Sequence, residues 1–209
     1  MTSTDARTES NLPRREREAR GMTDYWDVRS ADYDATHEVA DRGTWRRVLG
    51  ELVGDDRELR ILDVATGTGL IANLLAEQGY SHVTGVDLSE GMMSHARRYA
   101  AERGLTVDYR VGNALELPFP DASFDVVISS RLLWTLTEPD AAVREWARAL
   151  VPGGVLIAIN ELEPGEGIRL SPLDDYRAKA QVDELPFANA DIDDILAALA
   201  SAGLLGARM

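Results

Sequence analysis

A glycine turn and an acidic residue are spaced along this chain as the binding of a ribose would require. The residues around Asp63 are apolar and predict a short buried strand, and a turn containing Gly67 and Gly69 follows it directly. Asp87 ends a second apolar stretch about 20 residues after Gly67, where a carboxylate can accept hydrogen bonds from both ribose hydroxyls. Glycine lets a ligand lie against bare backbone, which a Cβ would prevent. The pattern therefore predicts a site for a ribose-bearing cofactor.

Two plainer interpretations of these residues stay open at this point. The glycine turn could serve only to pack a strand against a helix, and Asp87 could serve only to begin the next helix. Ser89 is the better N-cap for that helix, because a hydroxyl at this position accepts from the first free backbone N–H groups. This favours the ribose role for Asp87.

Strands and helices are predicted to alternate along most of the chain. The strands are expected at 60–64, 82–87, 107–111, 124–129 and 155–160, with a sixth opening at 204–208. The helices are expected at 69–78, 89–103, 139–150, 173–181 and 191–202. Such alternation is typical of a mostly parallel sheet with helices on both faces, which binds ligands at the carboxyl ends of its strands.

The composition excludes several classes of protein. The 209 residues, 44% hydrophobic and 28% charged, suffice for one α/β domain with a sizeable core. A formal net charge of −14 argues against a nucleic-acid substrate, because an acidic surface repels the phosphate backbone. The sequence has no apolar run long enough to span a membrane and no apolar signal segment at its start. Cysteine is absent, which excludes disulfides and thiolate metal sites and favours a cytoplasmic protein.

Five ordered motifs carry a resemblance to a known family. They are LDVATGTG at 62–69, GVDLS at 85–89, GNALELPF at 112–119, FDVV at 124–127 and LVPGG at 150–154. In this order they resemble the class I S-adenosylmethionine-dependent methyltransferases, in the branch of ubiquinone/menaquinone methyltransferases and small-molecule tailoring enzymes. The resemblance covers roughly residues 22–205, and it implies methyl transfer from S-adenosylmethionine to a small organic acceptor. Arginine almost wholly replaces lysine, which predicts a GC-rich bacterial source.

The resemblance also sets expectations for the architecture. It implies a Rossmann-like doubly wound, mostly parallel sheet of six or seven strands, with residues 57–209 as the core and 22–56 as a helical cap. Residues 1–21 are polar, alternate in charge and predict a disordered tail with a nascent helix in its second half. The family's last strand has no counterpart in the sequence. An edge left unpaired invites another copy of the chain, which predicts a homodimer.

By resemblance, the cofactor contacts follow the strand ends. Asp63 is expected on the amino-group side of the methionyl part, Asp87 at the ribose and Leu88 on the adenine face. Asn113 replaces the family's usual aspartate, yet its amide oxygen can still accept from the adenine amino group. Turn formation by Asn113 and core packing by Leu88 remain alternatives. The further cofactor contacts expected are Tyr33, Ala65, Gly67, Gly69, Ala114 and Ser129.

Catalysis and acceptor binding rest on weaker signals. A base is needed only if the acceptor must lose a proton, and His37 and Glu161 are candidates without a spacing signature. Arg131 follows the fourth strand, where it could bind a carboxylate, including the cofactor's own. Tyr25 and Trp134 are expected to contact the acceptor, alongside Glu161, although Trp134 could simply pack at a helix start. The main task of the site is alignment of the acceptor with the methyl group.

Two other functions also fit part of the pattern. The glycine turn and Asp87 would suit an NAD-dependent dehydrogenase, but Tyr176 and Lys179 are three apart rather than the four of a short-chain tyrosine–lysine pair. A non-catalytic S-adenosylmethionine-binding or scaffold protein is the other alternative. No cluster of His, Asp or Glu has the spacing of metal ligands, so a metal site is not expected.

Overall fold

The apolar stretches form a single parallel sheet in the computed structural model, which describes residues 13–33, 42–159, 180, 182, 185–186 and 192–204. The strands are β1 (Arg60–Val64), β2 (His82–Asp87), β3 (Asp108–Val111), β4 (Phe124–Ser130) and β5 (Leu150–Ile159). The helices are α1 (Arg14–Arg29), α2 (Arg42–Val53), α3 (Leu70–Glu77), α4 (Glu90–Glu102), α5 (Pro139–Ala149) and α6 (Ile192–Ser201), with a 3₁₀ turn at Leu133–Thr135. The strand order is β3-β2-β1-β4-β5, and every neighbouring pair is parallel. This confirms the predicted α/β class.

Alternation along the central strands divides the core between two faces of the sheet. On β1, Leu62 packs in the cluster around Trp146 of α5, whereas Ile61 packs in the cluster that contains Leu74 of α3. Successive side chains of a strand point to opposite faces, so the nearly continuous apolar runs of β1 and β4 are what a sheet covered on both sides requires. Trp146 is fully buried and donates from Nε1 to the carbonyl of Ala114 at 3.0 Å, which ties α5 to the loop after β3.

The N-terminal helix extends into the predicted tail. The sequence predicts a disordered tail over residues 1–21 with a nascent helix in its second half, and α1 begins in that half, at Arg14, as a formed helix in which Glu18 and Gly21 are buried. Arg14 pairs with Glu18 one turn later, and Arg15 forms a two-pronged ion pair with Glu138 at the start of α5. Charged residues that find such partners can order a segment that has no apolar period, which explains the discrepancy.

Helix α1 is also bonded to the start of α4. Ser89 accepts from the N–H of Met92 as the predicted N-cap, and its own hydroxyl donates to Asp27 of α1 at 2.5 Å. The N–H of Gly91 donates to the same carboxylate oxygen at 2.9 Å. Because free N–H groups at a helix N-terminus favour an anion, Asp27 holds α1 beside the carboxyl end of β2.

Among the described residues, β5 is the last strand along the chain and forms one edge of the sheet. β5 begins at Leu150, five residues before the predicted strand, because Leu150 already pairs with Phe124 of β4; an irregularity at 151–154 follows, and regular pairing resumes at Val155 opposite Val126. Of the predicted sixth strand, Leu204 is described and is not in a strand, while 205–208 lie outside the described residues. No described helix has the length and apolar character needed to cross a bilayer.

Candidate active site

The carboxyl ends of four strands meet at one cleft. In the register of the sheet, Val64 of β1 lies between Val86 of β2 and Ser129 of β4, and Asp87 lies beside Val111 of β3. The residues that follow these ends therefore share one edge of the sheet. They surround an open cleft, and the empty space between its lining residues, including the open mouth, is about 780 Å³.

The opposite wall of the cleft comes from the N-terminal region. Met22 and Trp26 of α1 and Tyr33 after it line the cleft, and the rings of Trp26 and Tyr33 meet edge-on at 6.1 Å between centroids. Met92 of α4 adds a further apolar side chain. The cleft thus lies between polar strand ends and a largely apolar helical wall.

The glycine turn after β1 adopts backbone conformations that side chains disfavour. Gly67 has φ +56°, Gly69 has φ +84°, and Ala65 between β1 and the turn has φ +55° despite its Cβ. A left-handed conformation costs a residue such as alanine about 1–2 kcal/mol. Ala65 and Gly67 line the cleft, and a Cβ added to Gly67 would meet no atom within 4 Å. The backbone of Gly67 is therefore open to a ligand.

Asp87 connects the ends of β1 and β2. Its Oδ2 accepts from the N–H of Gly67 and its Oδ1 from the N–H of Ser89, both at 2.9 Å. Each carboxylate oxygen keeps a lone pair for a further donor, and the side chain lines the cleft. Burial raises the pKa of Asp87, and the backbone N–H groups oppose that effect. The carboxylate is held in place by backbone bonds and can accept from a ligand.

Asp63 is buried beneath the glycine turn and does not line the cleft. Its Oδ2 accepts from the hydroxyl of Thr66 at 2.6 Å and from the N–H of Ala72 at 3.2 Å. Burial raises the pKa of Asp63 from 3.8 to about 7. The two hydrogen bonds lower this pKa in part, and the charge of Asp87 raises it by a smaller amount. Asp63 thus changes charge near neutral pH.

This raised pKa gives Asp63 a predicted effect on stability. Because the folded chain holds the Asp63 proton more tightly than the unfolded chain, ionising this group opposes folding. The cost is absent below the unfolded pKa, grows as the pH rises toward the folded pKa, and is constant above it. We expect Asp63→Asn to gain stability relative to the parent chain between about pH 4 and about pH 8, by on the order of 4 kcal/mol. Urea unfolding at a series of pH values measures this difference.

Asp125 supplies a control of opposite sign. Arg60 donates to both of its carboxylate oxygens, at 3.0 Å from Nε and 2.9 Å from Nη2, and lowers the pKa of Asp125. A lowered pKa stabilises the fold above the unfolded pKa, so Asp125→Asn should lose relative stability as the pH rises. A pH-independent difference for Asp63→Asn would contradict the assignment of a buried, proton-holding Asp63.

The loop after β3 supplies Gly112, Asn113, Ala114 and Leu115 to the cleft. Asn113 Oδ1 accepts from the N–H of Leu115 at 2.9 Å, so the turn-forming alternative for Asn113 is realised. A carbonyl oxygen has two lone pairs, and the second remains for a ligand. Asn113 can therefore shape the loop and still accept from a bound molecule.

The end of β4 presents two polar residues to the cleft, Ser130 and Arg131. The N–H of Arg131 donates to the carbonyl of Ile159 at 2.8 Å, which fixes its backbone to the end of β5. Arg131 has φ +56°, a strained conformation for a residue with a side chain. Strain of this kind persists only where the surrounding structure enforces it, and it concentrates at functional sites.

Comparisons with known proteins identify the family. Residues 62–158 match the model of a methyltransferase domain family. A demethylmenaquinone methyltransferase of Thermus thermophilus is 39% identical over 59% of this chain and 56% of its own length. A ubiquinone/menaquinone biosynthesis C-methyltransferase of Shewanella baltica is 32% identical over 80% of this chain and 70% of its own length. The chain belongs to the class I S-adenosylmethionine-dependent methyltransferases.

A solved structure gives the same assignment for the fold. The [4+2]-cyclase SpnF superposes with a TM-score of 0.70 and 26% identity, over 87% of this chain and 70% of its own. The methyltransferase chain spans less than two thirds of the length of several curated relatives, including 56% of the Thermus protein. The expected resemblance to the ubiquinone/menaquinone branch is confirmed.

The cofactor of this family is S-adenosylmethionine, and the cleft of this chain has features that suit it. The open backbone at Gly67 leaves room for a ligand, and Asp87 offers two acceptor oxygens for a pair of hydroxyls. Leu88 and Met92 offer apolar contacts for a ring. S-Adenosylmethionine has no phosphate, and the described residues that line the cleft include one cationic side chain, Arg131, rather than a phosphate-binding set.

The structure brings most of the predicted site residues together. Those lining the cleft are Tyr33, Ala65, Gly67, Asp87, Leu88, Asn113, Ala114 and Arg131. Ser129 and Trp134 were also predicted contacts, but they do not line it; Ser129 is buried, and Ser130 next to it reaches the cleft instead. Gly69 faces Tyr109 and Asn73 rather than the cleft.

The prediction for Tyr25 is off by one helical position. Tyr25 is 8% exposed and packs with Ala180 and Val182, whereas Trp26 lines the cleft. Neighbouring residues of a helix point about 100° apart, so one faces the small cluster and the next faces the ligand side. Sequence reasoning singled out Tyr25 but could not tell which of the two neighbouring side chains points into the cleft.

Several predicted residues lie outside the part of the chain that the structure describes. These are His37, Glu161, Tyr176 and Lys179. Within the described ranges, no three His, Asp or Glu side chains come together as metal ligands would. The contribution of His37 and Glu161 to catalysis therefore remains a prediction.

Proposed function

We propose that this chain transfers a methyl group from S-adenosylmethionine to a small organic acceptor. The observation that carries the proposal is the convergence of Gly67, Asp87, Asn113 and Arg131, from four different strand ends, on one cleft. Sites at the carboxyl ends of parallel strands bind ligands across many α/β proteins, so this position alone does not select the reaction. Family membership supplies the remaining support.

The cofactor is expected to lie along the strand ends. Asp87 accepts from the ribose hydroxyls, Leu88 and Met92 pack on the adenine ring, and Asn113 and the Ala114 N–H meet the edge of the ring. The methionyl part lies against the backbone of Ala65 and Gly67. Asp63 acts from beneath the turn, through its bonds to Thr66 and Ala72 or through water.

Bound S-adenosylmethionine supplies an electrophilic methyl group and its own leaving group. The residues of the chain then need to hold the acceptor about 3–3.5 Å from that methyl and to exclude water, which can contribute roughly 7–11 kcal/mol to lowering the barrier. Met22, Trp26 and Tyr33 close the cleft on the side opposite the strands and serve both purposes.

The acceptor is expected to be a largely apolar ring compound. The names of the Thermus and Shewanella relatives specify demethylmenaquinone and ubiquinone/menaquinone biosynthesis. Trp26 on one side of the cleft, and Leu132 and Leu136 after β4, are apolar lining residues that suit a hydrophobic acceptor of that kind. We further propose that the protein acts in the cytoplasm, as the absence of cysteine favours.

A homodimer through the edge of the sheet is the proposed assembly. β5 is the last strand of the described sheet, and Val155 on it is 49% exposed. An exposed apolar residue on an edge strand favours pairing with a second chain. A monodisperse monomer in light scattering would contradict this assembly.

The decisive experiment is calorimetric titration with S-adenosylhomocysteine and, in parallel, with NADH. Micromolar binding of S-adenosylhomocysteine without binding of NADH supports the methyltransferase, and binding of NADH alone supports a dehydrogenase. If S-adenosylhomocysteine binds, the labelled cofactor and a panel of aromatic acceptors test for transfer. Binding without transfer to any acceptor would favour the non-catalytic alternative.

A further inference from the structure

Arg131 is the cationic side chain of the cleft. Among the described residues that line the cleft, it is the one arginine, and no lysine or histidine accompanies it. None of the ion pairs between described residues includes Arg131. In contrast, Arg60 and Arg148 each bind carboxylates on the outside of the fold. Arg131 therefore faces the ligand space with its hydrogen-bonding capacity available.

A second polar group adjoins Arg131. The hydroxyl oxygen of Ser130 is buried and has no hydrogen-bond partner among the described residues. A buried polar group without a partner lowers stability, so such a group in a ligand site points to a bond that the ligand completes. Leu132 and Leu136, which also line the cleft, are apolar. A cation and a hydroxyl thus stand together at the edge of an apolar space.

The backbone of Arg131 is fixed in a conformation that arginine rarely adopts. Its φ of +56° is held by the bond from its N–H to Ile159 of β5, and it ends the hydrogen-bonded run of β4. A glycine would adopt this conformation without strain. The chain instead carries a long cationic side chain there, which it directs into the cleft.

We propose that Arg131 and Ser130 bind the oxyanion of a phenol- or enol-type acceptor, so that the acceptor is methylated as an anion. The inference rests on the proposed methyl transfer and specifies the substrate class of the same site. A guanidinium paired with an oxyanion in a cleft of low polarity favours the ionised acceptor over the neutral one. Among the described residues, the titratable groups lining the cleft are Tyr33, Asp87 and Arg131.

The electron count of the transfer is consistent with an anionic acceptor. The acceptor loses its proton to water before the reaction. An oxygen lone pair, or the π pair at a ring carbon conjugated with the oxyanion, then forms the bond to the methyl carbon. The carbon–sulfur bond breaks, and its electron pair stays on sulfur. After transfer to a ring carbon, water removes the C–H proton of that carbon and returns a proton to the oxygen, which restores the aromatic ring. One positive and one negative charge disappear together, so the neutral methylated product binds Arg131 less tightly than the anion did and can leave.

The cofactor's own carboxylate is the other anion that Arg131 could hold, and two cofactor probes separate the two sources. S-Adenosylhomocysteine carries that carboxylate, whereas 5′-methylthioadenosine lacks it. If Arg131 serves the acceptor, Arg131→Gln leaves the affinity for both probes unchanged. If Arg131 binds the carboxylate of the cofactor, Arg131→Gln lowers the affinity for S-adenosylhomocysteine and leaves the affinity for 5′-methylthioadenosine unchanged. That result would overturn the proposal.

The direct test uses a chromogenic bicyclic phenol, 4-nitro-1-naphthol, and its methyl ether, which cannot ionise. Calorimetry and the absorbance of the bound anion are measured on the full chain saturated with S-adenosylhomocysteine. We expect the parent chain to prefer the anion over the ether by about tenfold or more, and to lower the pKa of the bound naphthol. Arg131→Gln should abolish that preference without changing the affinity for the ether, and Arg131→Lys should restore part of it.

Arg144→Gln is the matched control. Arg144 is exposed on α5, away from the cleft lining, so its loss changes the net charge equally and should leave the preference intact. Equal binding of naphthol and ether by the parent chain would overturn the anionic acceptor while leaving the cofactor assignment in place. Failure of the parent chain to bind S-adenosylhomocysteine at all would instead overturn the proposed methyl transfer.

Discussion

Replacing Gly69 with alanine is expected to cost the fold about 2–5 kcal/mol of unfolding free energy. Gly69 begins α3 with φ +84°, where a Cβ is strained by its own backbone. The added Cβ would also collide with the hydroxyl of Tyr109 and would stand 2.7 Å from Nδ2 of Asn73 and 2.9 Å from the Cβ of Ala96. The Cβ of Ala96 is fixed to the backbone of α4 and is fully buried, so relief of that contact requires α4 to shift. Urea unfolding followed by circular dichroism measures the loss.

Gly67→Ala is the matched control, because it makes the same chemical change two residues earlier. Gly67 also has a positive φ of +56°, but its added Cβ would meet nothing within 4 Å. We expect Gly67→Ala to cost only the strain of the left-handed conformation, about 1–2 kcal/mol. The new methyl would instead project into the open space of the cleft, and it should weaken the binding of S-adenosylhomocysteine. Equal losses of stability in the two variants would show that the packing around Gly69 is not what sets its cost.

The second large effect concerns Asp87 and the cofactor. We expect Asp87→Ala to raise the dissociation constant of S-adenosylhomocysteine about a hundredfold or more. Two charge-assisted hydrogen bonds to the ribose are lost, and each contributes roughly 1.5–3 kcal/mol. Calorimetric titration of the parent chain and the variant under the same conditions measures the change. An unchanged dissociation constant would remove Asp87 from the cofactor site.

Asp87→Asn separates this effect from damage to the fold. The carboxylate also accepts from the N–H groups of Gly67 and Ser89, so alanine releases the glycine turn as well as the ligand. Asparagine keeps one oxygen for a backbone bond and loses the charge, and it should weaken binding by an intermediate factor of about ten. If Asp87→Ala lowers stability and affinity while Asp87→Asn changes neither, Asp87 acts on the turn and not on the ribose.

The strand ends were predictable because local sequence determines them. A short apolar run followed by glycine or an acidic residue marks the carboxyl end of a buried strand, and Asp87 and Gly67 fall at such ends in both sequence and structure. Parallel pairing then places those ends together without further information. Asn113 was assigned to the cofactor site by resemblance to the family, and Arg131 was placed there because it follows the fourth strand; both line the cleft.

The direction of individual side chains was not predictable. Tyr25 and Trp26 differ by one step of a helix, and Ser129 and Ser130 by one step of a strand, yet only the second of each pair lines the cleft. Which residue turns inward depends on the docking of α1 and on the end of β4, both set by contacts far away in the sequence. The ordering of α1 within the predicted tail has the same origin, since its partner Glu138 lies 123 residues from Arg15.

The docking of α1 through Asp27 has a consequence for how the acceptor range of this enzyme can diverge. The strand ends that are expected to hold the cofactor fall within residues 62–158, the range of the family model, whereas Met22, Trp26 and Tyr33 precede it. One face of the cleft thus comes from a segment that is attached to the start of α4 through the Asp27 carboxylate, which accepts from Ser89 and Gly91. Substitutions in that segment can reshape this face of the cleft while the sheet is left untouched. If the proposed methyl transfer holds, exchanging the first helix between relatives should change the acceptor and leave the methyl donor unchanged.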